Sequence, residues 1–196
     1  MKKVLNILLG LLIIATVVVI ILIIVKYSNN QANERALEKV LEQIKSEANI
    51  NTQDVQEDQK TEIEYKGYKV VGTIKISKIN IEYPILEITT SGSMKYSITK
   101  FWGDKINEVG NVCFAGHNNY DGTMFGKTKE LEVGDTFELT DTDNITKTYK
   151  IFKKYITDPD DISVIETEEF GTREATLITC SNGNRERLIL KAREEK

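Results

Sequence analysis

The residues of this sequence that can do nucleophilic chemistry are few. The chain has one histidine, His117, and two cysteines, Cys113 and Cys180. His117 follows Gly116 at the end of the apolar run "GNVCFA", and Cys180 closes the apolar run "EATLIT". A strand-end thiol can attack a carbonyl, a strand-end imidazole can shuttle protons, and a nearby cation can hold the oxyanion. Together these are the parts of cysteine acyl transfer. The cation comes from the returning chain, "SNGNRERLIL", in which Asn182-Gly183 marks a turn and Arg185 and Arg187 follow. A two-residue turn at Asn182-Gly183 sets Cys180 opposite Arg185, whereas a four-residue loop from Asn182 to Arg185 sets it opposite Arg187. Even in the tight register Arg187 lies diagonal to Cys180 on the same face. Spacing alone leaves both arginines open.

Cys113 tests the rival reading of the two thiols as a disulfide. On one strand, four positions separate it from His117 by about 13 Å, and a bridge needs Cα atoms within about 7 Å. If Cys180 sits beside His117, Cys113 is out of reach and is expected as a buried core thiol sharing a strand face with Ala115. Neither cysteine belongs to a CxxC or Cys/His cluster that would hold zinc. The acidic residues Asp158, Asp160, Asp161, Glu166, Glu168 and Glu169 match no calcium-loop spacing, so a solvated acidic loop and no metal are expected.

The elements that must position these groups read as strands. "GTIKISKINIEYPIL" alternates isoleucines with polar residues, and "GNVCFAGH", "DTFELTD", "KTYKIFKKYI", "EATLITC" and "RLILKA" are further short runs bounded by Gly, Asn or Asp. Many short strands separated by turns predict an all-β barrel or sandwich. The longest irregular connection, residues 158–172, is long enough to be functional and to hold a short helix. Trp102, the only tryptophan, is expected to pack.

The N-terminal third is different. Residues 4–25 carry only Asn6 and Thr16 as polar interruptions. As a helix this run is about 33 Å long, enough to cross a hydrocarbon core of about 30 Å. It is longer than a signal-peptide core and lacks a small-residue cleavage site, so an uncleaved anchor is expected. Lys2, Lys3 and the terminal amine outnumber Lys26, which predicts a cytoplasmic N-terminus and an extracellular C-terminal domain. Residues 26–66 read as a polar stalk. Leu37, Leu41, Ile44 and Ala48 mark an amphipathic helix over 32–48, and a flexible stretch "NINTQDVQEDQKTE" follows. The expected organisation is thus residues 1–3 cytoplasmic, 4–25 transmembrane, 26–66 stalk and 67–196 a single folded domain. Net charge is −4 with lysines and glutamates interspersed, which offers nothing to a nucleic-acid backbone.

The residues that carry this chemistry resemble the sortases, membrane-anchored cysteine transpeptidases of Gram-positive bacteria. "GTIKISKINIEYPIL" looks like the family's opening strands, "GNVCFAGHNNYDGTMF" like its histidine strand and loop, and "TLITC" like its nucleophile signature. The resemblance implies an eight-stranded β-barrel with short helices, and Cys180, His117 and Arg187 as catalytic residues. Arg187 is favoured because, like the family arginine, it stands directly before an apolar triplet leading to a small residue. Thr179 matches a position that helps to hold the oxyanion or substrate. The implied substrates are secreted proteins with an LPxTG-like sorting signal cut between Thr and Gly. The implied acceptor is an amine of the peptidoglycan precursor or of a pilin. Some members bind calcium through a mobile loop, but no cofactor is expected here. The "DGTMFG" loop resembles class B enzymes, yet little room remains between His117 and Cys180 for their long helix, so a class D-like or class A-like barrel is expected. Hydrolysis by a thiol peptidase with the same site, or a non-catalytic surface β-domain, are the alternatives.

Overall fold

The computed structural model describes residues 2–50 and 62–195, in two compact units, Met1–Lys39 and Val40–Lys196. Helix α1 (Lys2–Ile50) runs without a break through both the apolar segment and the polar residues after it, where a separate helix over 32–48 was expected. From Leu9 to Val25 its large apolar side chains are exposed on every face. Among the described residues no helix is long and apolar enough to cross a membrane. The expected flexible stretch falls largely on residues 51–61, outside the described residues.

The described residues of the second unit form nine strands: β1 (Glu64–Tyr65), β2 (Tyr68–Ile76), β3 (Ile81–Leu86), β4 (Ile98–Trp102), β5 (Gly110–Ala115), β6 (Thr136–Asp141), β7 (Thr146–Thr157), β8 (Arg173–Ser181) and β9 (Glu186–Glu194). They pair in the order β1-β2-β3-β4-β5-β8-β9-β7-β6, and β6 returns to β2. Strands β2 to β9 therefore close an eight-stranded barrel, as expected, with β1 added at its rim. That short strand moves the start of the sheet ahead of Gly67, because Lys66 and Gly67, both at positive φ, form a tight turn that pairs Tyr65 with Tyr68.

Alternation fills the barrel. Ile74 and Ile76, Val112 and Phe114, Phe137 and Leu139, Tyr149 and Ile151, Ala175 and Leu177, and Leu188 and Leu190 all join one buried cluster. Each full-sized member contributes about 1.5–3 kcal/mol by leaving water. Phe137 stacks on Tyr149 with centroids 5.8 Å apart, and the Tyr149 hydroxyl donates to Asn107 Oδ1 at 3.1 Å. Closure depends on Gly72, which pairs with both Ile85 and Asp141 beside a register shift in β2. Its φ is +155°, and a Cβ there would lie 2.4 Å from the Thr140 carbonyl oxygen.

Strand β4, "ITKFW", is absent from the sequence reading. It buries Ile98 and Thr99 but turns Phe101 and Trp102 to solvent, with a register shift between Lys100 and Trp102. Trp102 is 54% exposed rather than packed. Two pairings are parallel, β3 with β4 and β5 with β8. The second matters for the site, because it brings the C-terminal ends of the histidine and cysteine strands to the same end of the barrel.

Candidate active site

Strand β8 buries Ala175 and Leu177 inside the barrel and so turns Thr176, Ile178 and Cys180 to its outer face. In β9 the interior residues are Leu188, Leu190 and Ala192, which leaves Arg187, Ile189, Lys191 and Arg193 outside. The two strands pair Cys180 with Arg187 and Ser181 with Glu186. The connection is therefore the four-residue loop 182–185, with Asn182, Gly183 and Asn184 all at positive φ. This resolves the two arginines by register. Arg187 stands directly across from the thiol on the same face, and Arg185 lies in the loop, exposed.

Strand β5 runs parallel to β8 with Ala115 beside Ile178. Two residues further on, the same register sets His117 beside Cys180, one strand spacing of about 5 Å away. Three bonds carry that register past the end of β5. The Gly116 N–H donates to Ile178 O at 3.2 Å, the Thr179 hydroxyl to Gly116 O at 2.7 Å, and the Asn118 amide to Cys180 O at 2.8 Å. The His117 carbonyl accepts from Phe125 N–H at 3.0 Å. Phe125 and Met124 are buried in the barrel cluster, whereas Tyr120 is fully exposed. The histidine loop is thus anchored by its own apolar end. Gly116 is confined too, since a Cβ would approach the Phe125 ring to 2.7 Å.

The outer face therefore presents an exposed imidazole, a half-buried thiol and a half-buried guanidinium in a row across three adjacent strands. Arg187 Nη1 donates to Asn184 O and Glu186 O, both at 3.0 Å, which orients the group and leaves Nε and Nη2 without a partner among the described residues. Those two donors can serve a developing oxyanion or a substrate carbonyl. Thr179 is placed differently. Its side chain points inward with Ala175 and Leu177, is 4% exposed, and spends its hydroxyl on Gly116 O. The hydroxyl acts on the histidine strand and not on the face that holds the thiol.

The two cysteines are free. Cys113 lies on the outer face with Ala115, but residues 158–172 cover it, and Val164 O is 3.8 Å from its sulfur. It is buried under a loop rather than in the barrel core. Burial pushes its thiol up to about 12, so it stays protonated and unreactive.

The covering segment keeps its acidic residues in water as expected, with Asp161 half-buried and the others exposed, but several of the carboxylates are also hydrogen-bonded or ion-paired. It contains a short helical turn, Ile162–Ile165, as expected, in which the Ser163 N–H donates to the capping Asp161 carboxylate. Hydrogen bonds from Thr157 and Ser163 hold the Asp161 carboxyl below the ordinary range. Glu168 pairs with Lys153 at 2.9 Å and Lys191 at 3.1 Å, which lowers its carboxyl as well. Glu169 pairs with Arg193, and the buried Glu174 accepts from Arg193 and from the N–H groups of Glu168 and Glu169. Asp158, Asp160, Glu166, Glu168 and Glu169 are all exposed. Among the described residues no group of three acidic, histidine or cysteine side chains is arranged to hold a metal. Asn111 and Lys191 escape the sequence reading, because their partners are supplied by a loop distant in sequence.

The Sortase domain family matches residues 74–195. Sortase D of Bacillus subtilis (strain 168) is 34% identical over 110 residues, 56% of this chain and 53% of that protein. Sortase A of Bacillus anthracis is 30% identical over 113 residues, 57% of this chain and 52% of that protein. The chain spans about half the length of these curated relatives. Among solved structures, the Clostridium perfringens Sortase D5 transpeptidase is similar in fold, with a TM-score of 0.63 at 24% identity over 84% of this chain and 98% of that one. Listeria monocytogenes sortase A has a TM-score of 0.58 at 25% identity over 65% and 88%.

Proposed function

Since the chain belongs to the sortase family, we propose that it is a cysteine transpeptidase using Cys180, His117 and Arg187 on an LPxTG-like sorting signal. The observation that carries this reading is the pairing of Cys180 with Arg187, with the β5 register bringing His117 to the other side of the thiol. In the proposed cycle the Cys180 thiolate attacks the threonine carbonyl carbon. Arg187 Nε and Nη2 hold the oxyanion. The tetrahedral adduct collapses with cleavage of the Thr–Gly bond, and protonated His117 gives its proton to the leaving glycine amine. An amine of the peptidoglycan precursor or of a pilin then attacks the thioester carbon. His117 takes the incoming amine's proton, the new amide forms, and the thiolate is released. Thr179 supports the site by holding Gly116 and, through it, His117.

The same proposal includes attachment to a membrane. Residues 4–25 are long enough as a helix to span, and the described part of that helix exposes apolar side chains on all faces. The lysine bias at the N-terminus favours a cytoplasmic start and an extracellular barrel, where sorting signals and wall precursors would meet it.

The test is incubation of the chain with a quenched LPxTG-type peptide library, with and without amine acceptors, read by mass spectrometry. A thioacyl adduct on Cys180 that is resolved to an amide, and is absent in Cys180→Ala, is the expected result. Resolution to free acid even with amines present would make the protein a thiol peptidase. A folded chain with no adduct on any peptide would sink the enzymatic reading in favour of a binding module.

A further inference from the structure

The segment 158–172 crosses the outer face of β5, β8 and β9 as a strap, and it is fastened by polar contacts rather than by apolar packing. Val164 is its one buried residue. Two buried side chains from different strands converge on a single strap carbonyl. Lys191 Nζ of β9 donates to Glu166 O at 2.9 Å, and Asn111 Nδ2 of β5 donates to the same oxygen at 3.1 Å. Asn111 also donates to Val164 O at 3.2 Å, and Lys191 to Glu168 Oε1 at 3.1 Å. Lys191 is 2% exposed and Asn111 7%. A buried ammonium is costly unless hydrogen bonds replace its water, and here the strap supplies the replacements. Neither residue takes part in the proposed chemistry.

The strap leaves β7 at Thr157, which pairs with Arg187, which in turn pairs with Cys180. Its first residues thus stand on the far side of Arg187, two strand spacings or about 10 Å from the thiol, and its clamped middle lies over Cys113, next to the floor made by Ala115 and Ile178. Where Glu166 is held determines how close this wall stands to anything lying along that floor. We propose that Lys191 and Asn111 are positioning residues that fix the strap as the wall of the peptide groove, and so govern how tightly the sorting peptide binds rather than how fast the thiol reacts. This inference rests on the transpeptidase reading of the site.

The experiment compares the wild-type chain, Lys191→Met and Glu168→Gln by hydrogen exchange over residues 158–172, by peptide cleavage kinetics, and by alkylation of Cys180. In Lys191→Met the strap amides should exchange about tenfold faster or more, the size of effect that losing a charged hydrogen bond permits. KM should rise about tenfold while kcat and the alkylation rate stay within about twofold. Glu168→Gln keeps the Lys191 bond to Glu166 O and should fall between wild type and Lys191→Met. Unchanged strap protection in Lys191→Met, or a fall in kcat with KM unmoved, overturns the proposal. If Lys191→Met loses protection in β2 and β3 as well, it has unfolded and Glu168→Gln decides: strap exchange and KM must rise together, and no change in either overturns the clamp. Should wild type turn over no peptide, the transpeptidase reading fails separately, and strap exchange alone then supports or overturns the clamp.

Discussion

Replacing Thr179 with valine separates two roles that its position near the thiol allows. The hydroxyl is 2.7 Å from the Gly116 carbonyl oxygen, and both residues are buried. Valine keeps the branched shape and puts a methyl where the hydroxyl was. The Gly116 carbonyl then loses a buried donor, at a cost of about 1–3 kcal/mol. Extra apolar burial returns under about 1 kcal/mol, so the net destabilisation should be about 1–2 kcal/mol. For a folded unit of this size each kcal/mol lowers Tm by about 2–5 °C. His117 follows Gly116, so the loosened strand end should also reduce kcat by a few fold to about tenfold through misplacement of the imidazole, with KM little changed. Had the hydroxyl served the oxyanion directly, its loss would cost about 10²–10³ in kcat and leave stability untouched. Urea unfolding and thermal melts of the Thr179→Val chain, set beside peptide cleavage kinetics, distinguish the two. A hundredfold loss in kcat at unchanged Tm would refute the inward-facing assignment.

Arg187→Ala should lower kcat about 10²–10³-fold, and Arg185→Ala less than about threefold. Equal losses in peptide cleavage by the two variants would contradict the four-residue loop. Iodoacetamide at pH 8 should alkylate Cys180 and spare Cys113, whose thiol is pushed up to about 12 by burial under the strap; peptide mapping that finds both modified in the folded chain would show the strap open. Hydrogen bonds from Lys153 and Lys191 depress the Glu168 carboxyl, while Glu174 of β8 lies alongside. A depressed carboxylate contributes stability that is present above its unfolded value of about 4.3 and is lost as pH falls through the folded value. Strap amides should therefore lose exchange protection below about pH 4 in wild type, and a Glu168→Gln strap should show a flatter dependence over that range.

How much of this was legible depends on how far apart in sequence the interacting residues lie. Strand-period runs with turn residues at their ends were enough to place β2, β3, β5, β6, β7, β8 and β9, because a strand half-buried against one core must alternate. Strand β4 escaped, since it is short, carries a lysine, and ends on Phe101 and Trp102 facing outward. Within the β8–β9 hairpin, composition narrowed the partner of Cys180 to two arginines. Asn182-Gly183 suits a two-residue turn, yet Asn184 also accepts positive φ, so the longer loop is equally open to the chain, and only the pairing register decides.

Burial of the strap's partners was not legible at all, and the reason is physical. Lys191 alternates with Leu190 and Ala192 as a solvent-facing residue should, and by strand period alone it faces water. What removes that water is a segment whose contacts with Lys191 lie 25 and 23 residues earlier and whose own sequence, acidic and with Ile162 and Phe170 left in solvent, gives no sign of lying against anything. Its carboxylates and carbonyls are attracted not by a hydrophobic stripe, which has a period, but by cations and an amide whose positions become adjacent only when the barrel closes. Apolar cores announce themselves through spacing; polar fastenings depend on pairs, and a pair has no period. The residues that perform chemistry on the proposed substrate can thus be found from local signatures, whereas those that shape the groove around it emerge only once β5, β8 and β9 are laid side by side.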